Sequence, residues 1–153
     1  AYSETVIAAI RRIDPDNIII VGCPHWDQDI HEPARDPIQG FSNLMYSVHF
    51  YAATHKAWLR NRADSALQSG LPIFVSESAA MEASGDGPLD YAAWNRYQQW
   101  MDDRQLSWVV WSVSDKNETC SVLQAGASVM GGWKRRQLKA SGRFTRKRLR
   151  QYK

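Results

Sequence analysis

The sequence predicts an α/β fold built on parallel strands, and three observations lead there. Short apolar runs of β-type residues alternate with longer segments whose apolar residues recur at helical spacing. One run, Ile18-Ile19-Ile20-Val21, is continuous, the pattern of a strand buried on both faces. The runs also end alike: this one leads into Pro24-His25-Trp26, Leu44 to Val48 into His49-Phe50-Tyr51, Leu71 to Ser76 into Glu77, and Trp108-Val109-Val110 into Trp111-Ser112. Four strands delivering polar or aromatic groups at the same end describe a site on one face of a parallel sheet.

Taken in order, Tyr2, Val6, Ile7, Ile10 and Ile13 predict a first helix, stopped by Asp14-Pro15. Asn17 to Gly22 is the first strand. Gly22 to Gly40, with three prolines and the cluster Asp27, Asp29, Glu32 and Asp36, reads as a long functional loop with room for one short helical turn. Leu44 to Tyr51 is the second strand. Thr54 is the expected N-cap of a helix carrying Trp58, Leu59, Ala63, Ala66 and Leu67, which Gly70 closes. Ile73 to Ser76 is the third strand. Asp90 caps a helix with Trp94, Tyr97, Gln98 and Met101 on neighbouring turns, and Leu106 to Val113 is the fourth strand. A long loop from Ser114 to Trp133 leads to a polar terminal helix with Ser141 as its expected cap. Trp58, Trp94 and Trp100 are expected to pack helices. Four strands in crossover units leave two apolar edges, so the residues allow either an open doubly wound domain or part of a closed barrel.

Composition bounds the function. At 153 residues the chain is long enough for one domain with a core, 1–153, and too short for two ordinary ones. Hydrophobic content of 44% and charged content of 23% are globular values. No apolar run approaches about 20 residues, so no membrane span is expected. The opening Ala1-Tyr2-Ser3-Glu4 reads as helix, not as an export signal. Cys23 and Cys120 allow one bridge or two free thiols, and His25, His31, His49 and His55 lack metal-ligand spacing, so neither metal nor cofactor is expected. The net charge of +3 divides unevenly: ten Lys and Arg and no Asp or Glu lie from Lys134 to Lys153, against nine basic and sixteen acidic residues before them. An acidic body suits a neutral substrate held by hydrogen bonds and stacking.

Glu77 is the centre of the reading. A buried strand delivers it to its own C-terminal end, and Glu is seldom buried unless it is paired or used; the plain alternative is a solvated loop carboxylate.

The stretches Ile13-Asp14-Pro15-Asp16-Asn17 through Gly22, Met45-Tyr46-Ser47-Val48-His49-Phe50-Tyr51 through His55, Ile73-Phe74-Val75-Ser76-Glu77, and Trp108-Val109-Val110-Trp111 through Lys116 together resemble glycoside hydrolase family 5. Within it they are most similar to bacterial endo-β-1,4-glucanases, the cellulases. The resemblance covers nearly the whole chain and implies the C-terminal half of a (β/α)₈ barrel, about four parallel strands with helices. The acid/base glutamate of an Asn-Glu-Pro motif, with an Arg and a His, would belong to the other half.

The resemblance implies that Glu77 is the catalytic nucleophile, that Tyr51 holds it ionised by a hydrogen bond, and that His49 contacts the sugar near the cleavage point. Trp111 would be the platform under the sugar, and Trp26 a further stacking aromatic. Lys116 with Glu118 would hydrogen-bond a more distant sugar, and His55 would stand among the substrate contacts. One departure is Ser78, where many relatives have an aromatic after the nucleophile. The expected partner is a β-glucan polysaccharide, and relatives are mostly secreted.

The resemblance thus predicts a retaining endo-β-1,4-glucanase with one of its two carboxyls elsewhere. Asp115, Asp27 and Glu82 are the candidates in this chain for a substitute. A competing expectation is a half-barrel inactive alone, completed by the upstream half or by a second copy of the chain. A third takes the basic tail, with Phe144 and Tyr152 interleaved, as a polyanion-binding module; nucleic acid is not expected.

Overall fold

The computed structural model describes residues 2–152. The element order is α1 (Tyr2–Arg11), β1 (Ile19–Val21), α2 (Pro24–Asp27), α3 (His31–Arg35), β2 (Leu44–Tyr51), α4 (Ala57–Gln68), β3 (Ile73–Ala79), α5 (Tyr91–Asp103) and α6 (Ala140–Leu149), with short 3₁₀ turns at Arg135–Gln137 and Arg150–Tyr152. One three-stranded sheet is ordered β1-β2-β3. β1 and β2 are parallel, pairing Ile19 with Leu44 and Val21 with Tyr46. Tyr46 N donates to Pro72 O and Ala52 N to Ala79 O, so both partners advance together and β2 and β3 run the same way. The chain packs as two compact units, one of residues up to His49 with Ala57–Ser76, the other of Phe50–Lys56 with residues from Glu77 onward.

In the first unit, Ile7, Val21, Ile30, Tyr46, Val48, Leu59, Ile73 and Val75 are buried. The consecutive burial of Tyr46, Ser47 and Val48 marks β2 as covered on both faces, as its apolar run implies. α1 ends where Asp14-Pro15 requires, and the Arg11 guanidinium donates to Ser42 O at 2.9 Å, tying the helix to the loop before β2. Of its expected core stripe, only Ile7 is buried; Tyr2 and Ile13 are 83% and 89% exposed. α4 is closed by Gly70, whose φ of 84° suits a residue without Cβ. Thr54 does not cap α4: the helix begins at Ala57, and the Thr54 hydroxyl accepts from Ala83 N at 2.9 Å within the second unit. The loop between β1 and β2 holds one short right-handed helix, α3, as expected, preceded by α2, a single turn whose His25, Trp26 and Asp27 are left-handed. Arg62 on α4 fixes the middle of the loop, donating to Gln28 O at 3.1 Å and to Asp29 at 2.5 Å.

In the second unit, Phe50 stacks on Tyr97 with centroids 3.7 Å apart and planes at 7°, and lies tilted against Trp94 at 5.7 Å. All three rings are buried, and Trp100 meets Tyr97 edge-on. Trp94 and Trp100 therefore pack as expected, whereas Trp58, in the first unit, is 43% exposed beneath the Arg62 guanidinium. Asp90 caps α5, its Oδ1 accepting from Ala93 N at 2.8 Å. α6 starts earlier than expected, with Lys139 at its N-cap; Ser141 lies inside it and donates to Ser121 O at 2.8 Å.

The expected fourth strand is not one. Of Leu106 to Val113 only Trp108 takes part in a β-bridge. The segment's bonds are split between two partners: Trp111 N reaches Ser78 O at 2.9 Å, while Ser112 N reaches Cys120 O at 3.1 Å and its own carbonyl accepts from Val122 N. Extended backbone shared in this way cannot form a continuous ladder. Among the described residues no helix is long and apolar enough to cross a membrane.

Candidate active site

In the second unit, Glu77 stands on β3 and Tyr51 at the end of β2. The Tyr51 hydroxyl donates to Glu77 Oε1 at 2.7 Å, within the range of strong charge-assisted bonds. Burial pushes the Tyr51 phenol well above its ordinary value, and the bond to Glu77 pushes it further, so the hydroxyl keeps its proton and remains a donor. The strand end that carries it is fixed twice. Phe50 is locked into the aromatic core, and Tyr51 N donates to Nδ1 of His55 at 2.7 Å. His55 is 5% exposed, and burial lowers its pKa, as suits an acceptor nitrogen.

Ser78, the residue after Glu77, is fully buried, and its hydroxyl donates to Val109 O at 2.7 Å. With the Trp111 N to Ser78 O bond, this clamps the 109–111 segment to the end of β3. Trp111 is 44% exposed, and the peptide bond from it to Ser112 is cis. Lys116 is exposed and Glu118 half-buried; the carbonyls of both accept from Lys139 Nζ. Asp115 Oδ2 accepts from Gly126 N, and the Glu82 carboxylate lies beside Gly87.

In the first unit, His49 Nε2 lies 3.0 Å from Asp27 Oδ2 and 2.9 Å from the Ser76 hydroxyl. Ser47 Oγ donates to the same carboxylate oxygen at 2.7 Å and contacts the Ser76 hydroxyl. Asp27 Oδ1 accepts from Cys23 N, so both oxygens of that carboxylate are engaged. His25, Trp26 and Asp27 have φ of 57°, 52° and 59°, a left-handed run that non-glycine residues seldom adopt. The run turns Trp26 out to 76% exposure.

Of this group the sequence points to His49, and to Asp27 only as a substitute carboxyl; Ser47 and Ser76 are not among the expected site residues. A signal was present. Ser47, His49 and Tyr51 alternate along one strand and share a face, in a run otherwise apolar. Both cysteines are free thiols. Burial, then the Asp27 charge, pushes Cys23 up to about 12; burial, then the bond to Glu118, pushes Cys120 up to about 11. Among the described residues no group of three or more His, Cys, Asp or Glu is arranged to hold a metal.

Parallel strands in crossover units, with a carboxylate held by a hydroxyl toward the strand ends, place the chain among the (β/α)₈ barrel proteins. The profile for Cellulase (glycosyl hydrolase family 5) matches residues 1–117, and the chain belongs to that family. It is 44% identical to Endoglucanase A of Evansella cellulosilytica over 150 residues, 98% of this chain and 30% of that one. It is 43% identical to Endoglucanase 5 of Pectobacterium carotovorum, covering 97% of this chain and 29% of the relative. Among solved structures, one from Cytophaga hutchinsonii superposes with a TM-score of 0.96 at 40% identity, over 99% of this chain and 49% of that one. The catalytic domain of a Thermobifida fusca endoglucanase gives 0.88 at 37% identity, over 97% and 51%. The chain thus spans about 30% of the curated relatives and about half of the solved chains, as a C-terminal half barrel with three strands in its sheet rather than the expected four.

Proposed function

We propose that this chain is the nucleophile-bearing half of one catalytic domain, a retaining endo-β-1,4-glucanase that cleaves internal bonds of a β-glucan. The observation that carries the reading is the 2.7 Å bond from Tyr51 to Glu77. It orients the carboxylate that would attack the anomeric carbon. In the retaining mechanism a second carboxyl about 5 Å away protonates the leaving oxygen and then activates water. That group is assigned to the complementary half of the barrel; of the carboxylates in this chain, Asp27 is held by Cys23 N, Ser47 Oγ and His49, Asp115 accepts from Gly126 N, and Glu82 lies beside Gly87. A variant of the Thermobifida fusca catalytic domain is solved in complex with cellotetraose, which supports a β-1,4-glucan as substrate. Trp111 and Trp26 offer exposed faces for sugar rings, and Lys116 and Glu118 offer polar groups for hydroxyls. His49 contacts the sugar near the cleaved bond, and His55 acts by positioning Tyr51. A polymer too large to enter a cell implies that the assembled enzyme works outside it.

Exposed apolar groups in the first unit support the need for a complement: Ile18, just before the edge strand, and Ile20 on it are 62% and 41% exposed, and Tyr2 and Ile13 lie bare on or beside α1. The test is NMR of the first product formed from a cellooligosaccharide, with the chain alone and with the complementary half. Activity only in the assembled form, releasing the β-anomer first, is expected. Release of the α-anomer overturns the retaining mechanism, and full activity of the chain alone overturns the half-site.

A further inference from the structure

The structure of the second unit carries a groove of about 560 Å³ that the glucanase reading leaves unused. Five cations line it: Arg135, Arg143, Arg146, Lys147 and Arg150. Tyr91 and Phe144 supply its rings, meeting edge to face at 4.9 Å, and Tyr91 is 47% exposed. No acidic residue lines it. We propose that this groove binds an acidic polysaccharide, a polymer of sugar carboxylates.

Three features support that ligand. Arg143 and Lys147 are four apart on one face of α6, and Arg150, the C-cap three residues on, continues that row, about 10 Å in all. Arg143 and Arg146 are already aimed, each donating one nitrogen to a backbone carbonyl, of Leu138 at 2.6 Å and of Trp133 at 2.8 Å. A carbonyl orients a guanidinium without neutralising it, so the charge and the remaining donors stay available for a bidentate carboxylate. Arg148 is the residue of this stretch that is spent on an internal acid, Asp102. The aromatic pair supplies the other half of the chemistry, since a sugar acid presents both a carboxylate edge and an apolar ring face. A neutral glucan can take hydrogen bonds from these cations but leaves their charge unmatched. Nucleic acid wants several exposed ring faces in succession, whereas Phe144 is half-buried between Tyr91 and Trp94. Covering the groove with another part of the barrel would bury unpaired charge at high cost.

The experiment is affinity electrophoresis of the protein, with its complementary half, through gels holding polygalacturonate, its fully methyl-esterified form, or single-stranded nucleic acid. Retardation by polygalacturonate and not by the neutral ester is expected. With three charges neutralised, affinity falls about twentyfold between about 50 and about 200 mM salt. The triple variant Arg143→Gln, Lys147→Gln, Arg150→Gln loses at least about tenfold in affinity while still unfolding cooperatively, its melting temperature lowered only by the loss of the Arg143 bond to Leu138 O, and Glu77→Gln binds as the parent does. No retardation by polygalacturonate, equal retardation of the triple variant, or nucleic acid bound as tightly as polygalacturonate would each overturn the proposal.

Discussion

Replacing Tyr51 by Phe removes one oxygen and leaves the ring in place. The lost interaction is the 2.7 Å bond to Glu77, while the backbone bond from Tyr51 to His55 and the Phe50 stack are untouched. A hydrogen bond to a charged group contributes about 1.5–3 kcal/mol, so Tyr51→Phe lowers kcat by about 10- to 150-fold. The loss falls on kcat with KM little changed, because the bond acts on Glu77, the proposed nucleophile, and not on bound sugar. The assay is steady-state hydrolysis of a chromogenic cellooligosaccharide by the assembled enzyme, with thermal unfolding measured alongside. In a Glu77→Gln background, Tyr51→Phe has no further effect on the residual rate. A kcat within about threefold of the parent, or an equal loss in both backgrounds, would refute the reasoning.

Other consequences can be checked on the same protein. At Gly142 an added Cβ would lie 2.2 Å from Val122 O, and the helix cannot withdraw, because Ser141 is bonded to Ser121 O and Lys139 N to Val122 O. Gly142→Ala therefore costs at least the upper part of the usual overpacking range of about 1–3 kcal/mol, read as a lower melting temperature; an unchanged value contradicts the packing. His55 has a folded pKa below its unfolded value of about 6.5. Its contribution is present above that pH and is lost as pH falls. The parent is thus less stable at pH 5 than at pH 7.5, and His55→Gln weakens the protein at pH 7.5 while flattening that dependence; an equally steep slope in the variant contradicts it. Cys23 and Cys120, raised to about 12 and about 11, react with a disulfide reagent at pH 8 far more slowly in the folded protein than after denaturation, and equal rates contradict their burial.

The strands β1, β2 and β3 were legible because their runs are short, rich in β-branched or aromatic residues and bounded by turn residues, and Asp90 and Gly70 announce helix ends by their own chemistry. Leu106 to Val113 has the same composition and still forms no strand, since its hydrogen bonds go to the end of β3 and to the 120–122 segment, partners that no local pattern names. Thr54 and Ser141 failed as caps for a related reason: Ala83 and Ser121 compete for their hydroxyls from far along the chain. At the site, Glu77 and Tyr51 could be read from strand-end position and family motif. Of the group around His49, Ser47 left a signal in its alternation with His49 and Tyr51, but Asp27 left none, because it reaches the group through a left-handed turn that the residue types there do not advertise. Ser78, read as a departure from the family pattern, clamps the Trp111 segment through Val109 O, a role invisible without the fold.

The central claim is that Glu77 forms a covalent bond to the sugar. It is tested most directly by the intact mass of the protein, assembled with the complementary half, after incubation with a dinitrophenyl 2-deoxy-2-fluoro-β-cellobioside. The activated leaving group makes bond formation independent of the acid, and the fluorine slows hydrolysis of the intermediate. One fluorocellobiosyl group on this chain, mapped by peptide sequencing to Glu77, is the predicted result. A protein that hydrolyses cellooligosaccharides yet carries no label, or carries it on another residue, would contradict the account.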